Sequence, residues 1–238
     1  MESLANNEPY RISRLSKLLL IVLLVLWPIG SALMMSGVPE NIADELTDPV
    51  VQMYLPTIAL QLFMFLLIIV TTRHDGGGFL SLGFGRFALD KLFIGLAFFV
   101  AASMILSLVA LAVDYIGLGE FHDPTPLLPT TTFHKVVWTV LSLVVAFAEE
   151  AAFRGFALTR LEAISKNRLT SVLIVSVGFA VGHVYQGLGG VIVIFVYGLM
   201  FAFVFFKTGS IWPGIVAHFL QDFTPMFTVE LLKRFEGA

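Results

Sequence analysis

Long stretches without Asp, Glu, Lys or Arg constrain this chain more than any other feature. Residues 18–39, 51–72 and 92–113 are free of all four, and residues 169–206 form one such stretch long enough for two helical crossings. A helix needs roughly 20 mostly apolar residues to cross the hydrocarbon core of a bilayer. Two further apolar stretches are interrupted by charge. One begins at Val136 and meets Glu149, Glu150 and Arg154; the other begins near Ile211 and meets His218 and Asp222. In lipid every backbone polar group must be satisfied within the chain, so helices follow. The expectation is an all-α, polytopic transmembrane helix bundle of seven spans, with its site inside the bundle. An eighth span would require one of these stretches to split. The break in 169–206 is expected near Gly187, Gly189 and Gly190.

Composition supports that solvent. Hydrophobic residues make up 58% and charged residues 13% of 238 residues, where a soluble domain carries about 25% charged. The net charge of −3 argues against a nucleic-acid partner. Cysteine is absent, which excludes thiol catalysis, a disulfide framework and Cys-ligated metal centres. There is no phosphate-cradling or dinucleotide fingerprint.

The boundaries expected from these stretches are a polar tail over 1–17, spans over 18–134, a second set of spans over 135–229 and a short tail over 230–238. Arg11, Arg14 and Lys17 precede the first span, and Gly30-Ser31-Ala32 offers small residues of the kind signal peptidases accept. An uncleaved anchor is the reading here, because hydrophobic spans continue along the chain. Lys and Arg gather in the tail and in alternate loops (Arg73, Arg86 and Lys91; Arg160, Lys166 and Arg168; Lys207), which predicts a cytoplasmic N-terminus in the cell (inner) membrane. Glu40, Asp44, Glu45 and Asp48, then Glu120 and Asp123, mark the opposite side. Lys135 departs from the pattern, as do Lys233 and Arg234 in the C-terminal tail. Pro124, Pro126 and Pro129 predict an irregular external loop. His74, His122 and His134 read as solvated.

An ionisable side chain deep in the membrane is expensive and marks function unless it is paired. Glu149, Glu150 and Arg154 fall on one span, His183 on another, and His218 and Asp222 on a third. At about 1.5 Å per residue, Glu149, His183 and His218 lie roughly 17–22 Å from their basic flanks, in one middle layer. Glu150 and Arg154 are four apart and can pair on one face. Glu149 lies about 100° round the helix and stays free to face a cavity as a general base. His218 and Asp222 also share a face, where a carboxylate can fix an imidazole tautomer or join a metal. Taken singly, each set is an ordinary packing feature. Three sets at one depth point to chemistry.

The motifs Glu149-Glu150…Arg154, Phe179…His183 and His218…Asp222, in that order, resemble E-E-x-x-x-R, F-x-x-x-H and H-x-x-x-N of the type II CAAX prenyl endopeptidases. These are also called the CPBP or Abi family of intramembrane proteases. The run from His183 through Tyr185-Gln186-Gly187 to Thr208-Gly209-Ser210-Ile211-Trp212-Pro213 is similar to bacterial members, and the resemblance covers roughly 135–225. It implies an intramembrane endopeptidase acting on a peptide or protein substrate, membrane-anchored or not. By that resemblance Glu149 is the general base and His183 positions the water. His218 and residue 222 stabilise the oxyanion, and Glu150 and Arg154 keep the site in shape. Position 222 departs from the common Asn. An ionised Asp cannot donate to an oxyanion, so Asp222 must be protonated, orient His218 or bind a metal. Glu149, His183 and His218 would form a zinc set if a metal is used; no other cofactor is implied. The competing class is a non-enzymatic membrane protein, either a proton-coupled carrier or an immunity or scaffold protein on the same fold. No inverted repeat of the carrier type is evident.

Overall fold

The computed structural model describes residues 11–35, 47–121 and 125–227. The acidic loop residues Glu40, Asp44 and Glu45, the loop residues His122, Asp123 and Pro124, and the basic residues Lys233 and Arg234 lie outside the described residues.

Seven main helices make up the described bundle: α1 (Arg14–Leu33), α2 (Val50–His74), α3 (Leu89–Tyr115), α4 (Thr132–Ser165), α5 (Arg168–Val181), α6 (Val184–Thr208) and α7 (Trp212–Phe223). Five of them, α1 to α4 and α6, are long and apolar enough to cross a membrane. By contrast α5 has 14 residues and α7 has 12. Their lengths of about 21 and 18 Å fall short of the roughly 30 Å hydrocarbon core. The expected seven spans therefore correspond to five full-length helices and two short ones. Both short helices end close to the middle-layer residues, His183 and Asp222.

The outward faces are apolar. On α3, Phe93, Met104, Leu108 and Leu111 are all exposed, the surface a helix presents to lipid rather than to water. The inner helix contacts rely on small residues. A Cβ at Gly95 of α3 would lie 2.6 Å from Val216 of α7, one at Gly178 of α5 would meet Leu24 of α1 at 3.0 Å, and one at Gly198 of α6 would meet Ser176 of α5 at 3.1 Å. Without a hydrophobic drive between helices in lipid, such close approach supplies the packing. α4 is central. It packs on α2 and α7 and touches α1, α5 and α6 through its second half.

The break in 169–206 opens after Val181 and runs to Gly187, the first of the expected glycines. The ring Nδ1 of His183 lies 2.7 Å from the Phe179 carbonyl, the oxygen that the His183 backbone N–H would use in a continuing α-helix. That N–H bonds Ala180 O instead, and a 3-10 turn over Val184–Gln186 follows. The chain then re-enters a helix at Gly187, whose φ of 78° and ψ of 173° suit glycine alone. Gly189 and Gly190 lie inside α6. There a Cβ would press on the Phe121 ring and the Gln186 side chain.

α1 is tied into the bundle at both ends. Ser31 Oγ donates to Gly182 O at 2.8 Å. At the other end Ser16 Oγ donates to the buried Asp75 carboxylate, and the Arg11 N–H bonds Asp75 O at 3.0 Å. Burial alone would raise the Asp75 pKa, yet hydrogen bonds from Ser13, Ser16 and His74 outweigh it and hold the carboxyl below its ordinary value. A carboxyl depressed in the folded state contributes stability that is present above its unfolded pKa and lost as pH falls through the folded one. Acidification from about pH 5 to below about pH 3 should therefore loosen the start of α1. Hydrogen exchange over residues 14–21 should speed up across that window in the parent. In Asp75→Asn it should already be faster at neutral pH and should change little with acid.

Candidate active site

The middle of α4 departs from the α-helix, which resumes over Thr159–Ser165. Glu150–Leu158 forms a nine-residue π-helix that starts directly after Glu149. Widened turns of this length are rare, and short ones cluster at functional sites. The local sequence shows how the wide turn is tolerated. Gly155 lets the backbone of Leu82 approach, since a Cβ there would lie 2.6 Å from Leu82 O. The Gly155 carbonyl accepts from Thr159 Oγ1 at 2.6 Å and from Arg160 Nη1 at 3.2 Å.

On this helix Glu150 and Arg154 are almost fully buried, at 1% and 2% side-chain exposure, with Glu150 Oε1 3.1 Å from Arg154 Nη1. The contact is close but not aligned as a hydrogen bond, so the attraction is mainly electrostatic. The Arg154 guanidinium lies between two rings, 4.4 Å from the centroids of Phe179 on α5 and Phe201 on α6. A planar cation between two aromatic faces is stabilised by their quadrupoles when water is excluded. Glu150 Oε1 also lies 3.2 Å from His218 Nδ1 on α7. One ion pair thus joins α4, α5, α6 and α7. The fit is tight, because a Cβ at Gly214 would come within 2.6 Å of Glu150 Oε2.

Glu149 takes a different environment. Its Oε1 accepts from Gln61 Nε2 of α2 at 2.8 Å. Its Oε2 has no hydrogen-bond partner and lies 3.8 Å from His218 Nε2. The same imidazole nitrogen is 3.7 Å from Asp222 Oδ2. Both distances exceed a direct hydrogen bond and leave its position for a bridging molecule. Glu149 lines a small cleft with Gln61, Met64, Leu23, Trp27, Ala152 and Phe153, of about 10 Å³, near the lower limit for one water.

His183 and His218 share the Phe179 ring, whose centroid is 4.7 Å from the first imidazole and 6.2 Å from the second. With Nδ1 donating to Phe179 O, the His183 ring keeps Nε2 as its free nitrogen. Asp222 is the most open of the set, at 33% side-chain exposure, and its backbone carbonyl accepts from Trp138 Nε1 of α4 at 2.9 Å. The three motifs are therefore brought to one place. Glu150, Arg154, His218, Asp222 and Glu149 stand in a chain of contacts, with His183 linked to them through Phe179.

Among the described residues no group of three or more His, Cys, Asp or Glu side chains is placed to hold a metal ion. Both imidazoles of the set Glu149, His183 and His218 keep Nε2 clear, with one Nδ1 turned to a backbone carbonyl and the other to Glu150, partners that metal-ligating histidines also take. Sequence reasoning missed Gln61, Phe201 and Gly214. An amide in the middle of the charge-free run 51–72, which also holds Gln52 at its start, was the only available signal for Gln61. Nothing in the sequence marks the other two.

The family model described as type II CAAX prenyl endopeptidase Rce1-like matches residues 131–224. That stretch contains all six motif residues, from Glu149 to Asp222. Residues 131–224 belong to this family. No curated protein and no solved structure matches the chain. The matched stretch runs from the foot of α4 through α7 and leaves out α1, α2 and α3.

Removing one member of a buried ion pair strands the other and costs about 3–5 kcal/mol, whereas removing both costs less. Arg154→Met should accordingly lower stability by an amount of that order. The Glu150→Gln, Arg154→Met double variant should be less destabilised than the sum of the two single changes. Chemical unfolding of the detergent-solubilised protein measures both, and strict additivity would mean that the pair is not coupled.

Proposed function

We propose that the protein is an intramembrane endopeptidase that hydrolyses a peptide bond with a water activated by Glu149. The observation that carries this reading is the unpartnered Oε2 of Glu149, 3.8 Å from His218 Nε2 beside a cleft near the size of one water. Membership of residues 131–224 in a protease family supports it.

In this reading Glu149 Oε2 takes a proton from the water, whose oxygen attacks the scissile carbonyl carbon. His183 Nε2 accepts the second hydrogen of that water and fixes its direction. The carbonyl oxygen becomes an oxyanion, and a hydrogen on His218 Nε2 donates to it. Preorganised donors in a low-dielectric site are worth more than the same groups in water. The proton held by Glu149 then passes to the amide nitrogen as the C–N bond breaks, giving a carboxylic acid, which ionises on release, and an amine. Asp222, 3.7 Å from the same His218 nitrogen, orients the imidazole rather than donating. Arg154 and Glu150 hold the frame and do not touch the reacting atoms.

This mechanism uses the protein's own groups for each proton; among the described residues no three metal-ligating side chains converge. The substrate is a peptide or protein reached within the membrane, and the chain lies in the inner membrane with its N-terminus cytoplasmic.

A general base contributes typically 10²–10⁴-fold. Glu149→Gln should lower kcat for a peptide-library substrate by about that factor, and His183→Ala should lower it by at least tenfold. Parent-like cleavage by both variants would remove the assignment. A strong chelator should leave the parent activity intact; loss on chelation with recovery on adding zinc would establish a metal mechanism instead. Substrate accumulation in liposomes driven by a pH gradient, without proteolysis, would point to a carrier.

A further inference from the structure

Two adjacent glutamates on α4 meet opposite treatment. Glu150 is given a cation, Arg154, and is nearly sealed at 1% exposure. Glu149 is given a neutral amide, Gln61, on one oxygen only, and retains 13% exposure toward the cleft. An arginine beside a carboxylate compensates its charge. An amide N–H holds the carboxylate in place while leaving its charge uncompensated. An ionised carboxylate accepts only, so the Gln61 side chain must present its NH₂ to Oε1.

We infer that Gln61 is a positioning residue for the reaction. It fixes Glu149 Oε1 and so leaves Oε2 on the His218 side, 3.8 Å from Nε2. This inference rests on Glu149 being the base. Four observations support it. Gln61 is itself 7% exposed in an otherwise apolar part of α2, where a buried amide is tolerated only if it is bonded. Its bond to Glu149 is short, at 2.8 Å, and spans 88 residues of sequence. It lines the same cleft as Glu149. The Glu149 rotamer it selects leaves Oε2 buried and without a partner. A carboxylate free to rotate would spend part of its time with both oxygens away from the water site, and a near-attack geometry tolerates little such loss.

The consequence concerns the division of labour in the chain. Gln61 lies in α2, outside residues 131–224 that match the protease family. The N-terminal helices would then contribute to catalysis itself, not only to membrane anchoring.

The test is a double-variant cycle in detergent with a cleavable peptide. Gln61→Met keeps the length and removes the donor. It should lower kcat by about 10–100-fold with KM and the unfolding midpoint close to the parent, because it removes alignment and not binding or packing. In the Glu149→Gln background, Gln61→Met should produce no further loss, since it acts only through Glu149. Gln61→His retains an N–H of similar reach and should recover part of the kcat. Parent-like kcat in Gln61→Met, with Glu149→Gln inactive, overturns this inference and leaves the base reading intact. A multiplied loss in the double variant, or a kcat loss matched by a fall in midpoint, also overturns it in favour of a packing role. Full activity of Glu149→Gln would bring down both readings together.

Discussion

The buried pair of Glu150 and Arg154 is the interaction on which the rest of the site depends. A guanidinium cannot lose its proton in a protein, so an arginine at this depth demands a carboxylate and a surrounding that excludes lipid. The structure supplies Glu150 from the same helix, the faces of Phe179 and Phe201 from two others, and His218 from a fourth. Once that pair is set, α4, α5, α6 and α7 have little freedom to slide. The next residue, Glu149, inherits its direction from them. The energy that stabilises the pair also defines the cavity wall, which is why changing either member should disturb structure before it disturbs chemistry.

The irregular backbone of α4 and of the end of α5 falls at their ionisable groups. The π-helix over Glu150–Leu158 begins at the glutamates, and α5 stops at His183 because its ring takes the Phe179 carbonyl. Each departure changes the direction of a side chain that a regular helix would have aimed elsewhere. Each is also chemically closed: Thr159 and Arg160 serve the Gly155 carbonyl, and the His183 ring serves Phe179. Backbone that departs from the helix at membrane depth is tolerated only where protein buries it. Here that burial comes from α1, whose Ser31 and Trp27 lie against Gly182.

Much of this was legible in the sequence because lipid leaves few options. The charge-free runs locate helices to within a few residues: 51–72 against Val50–His74, and 92–113 against Leu89–Tyr115. Equal depth along three helices puts Glu149, His183 and His218 in one layer, since deep charges have to face one another. What the sequence hid was geometry set by contacts between distant helices. The break opens at His183, whose ring takes the Phe179 carbonyl, and closes at Gly187, one of the expected glycines; the other two lie inside α6. The π-helix has no sequence signature in Glu150–Leu158. Gln61 looked like one polar residue among several in its span, and only the position of α2 beside α4 reveals its partner. The two short helices were counted as spans because hydropathy reports apolar length, not where a helix stops.

The central claim is that a water held by Glu149, and not Glu149 itself, attacks the peptide carbonyl. Single-turnover cleavage in ¹⁸O-enriched water, with mass analysis of both peptide and protein, tests it most directly. The account predicts one ¹⁸O in the new carboxylate of the product, an unlabelled Glu149 and no covalent adduct. An ¹⁸O atom in the Glu149 side chain, which a glutamyl anhydride would leave behind, would contradict it.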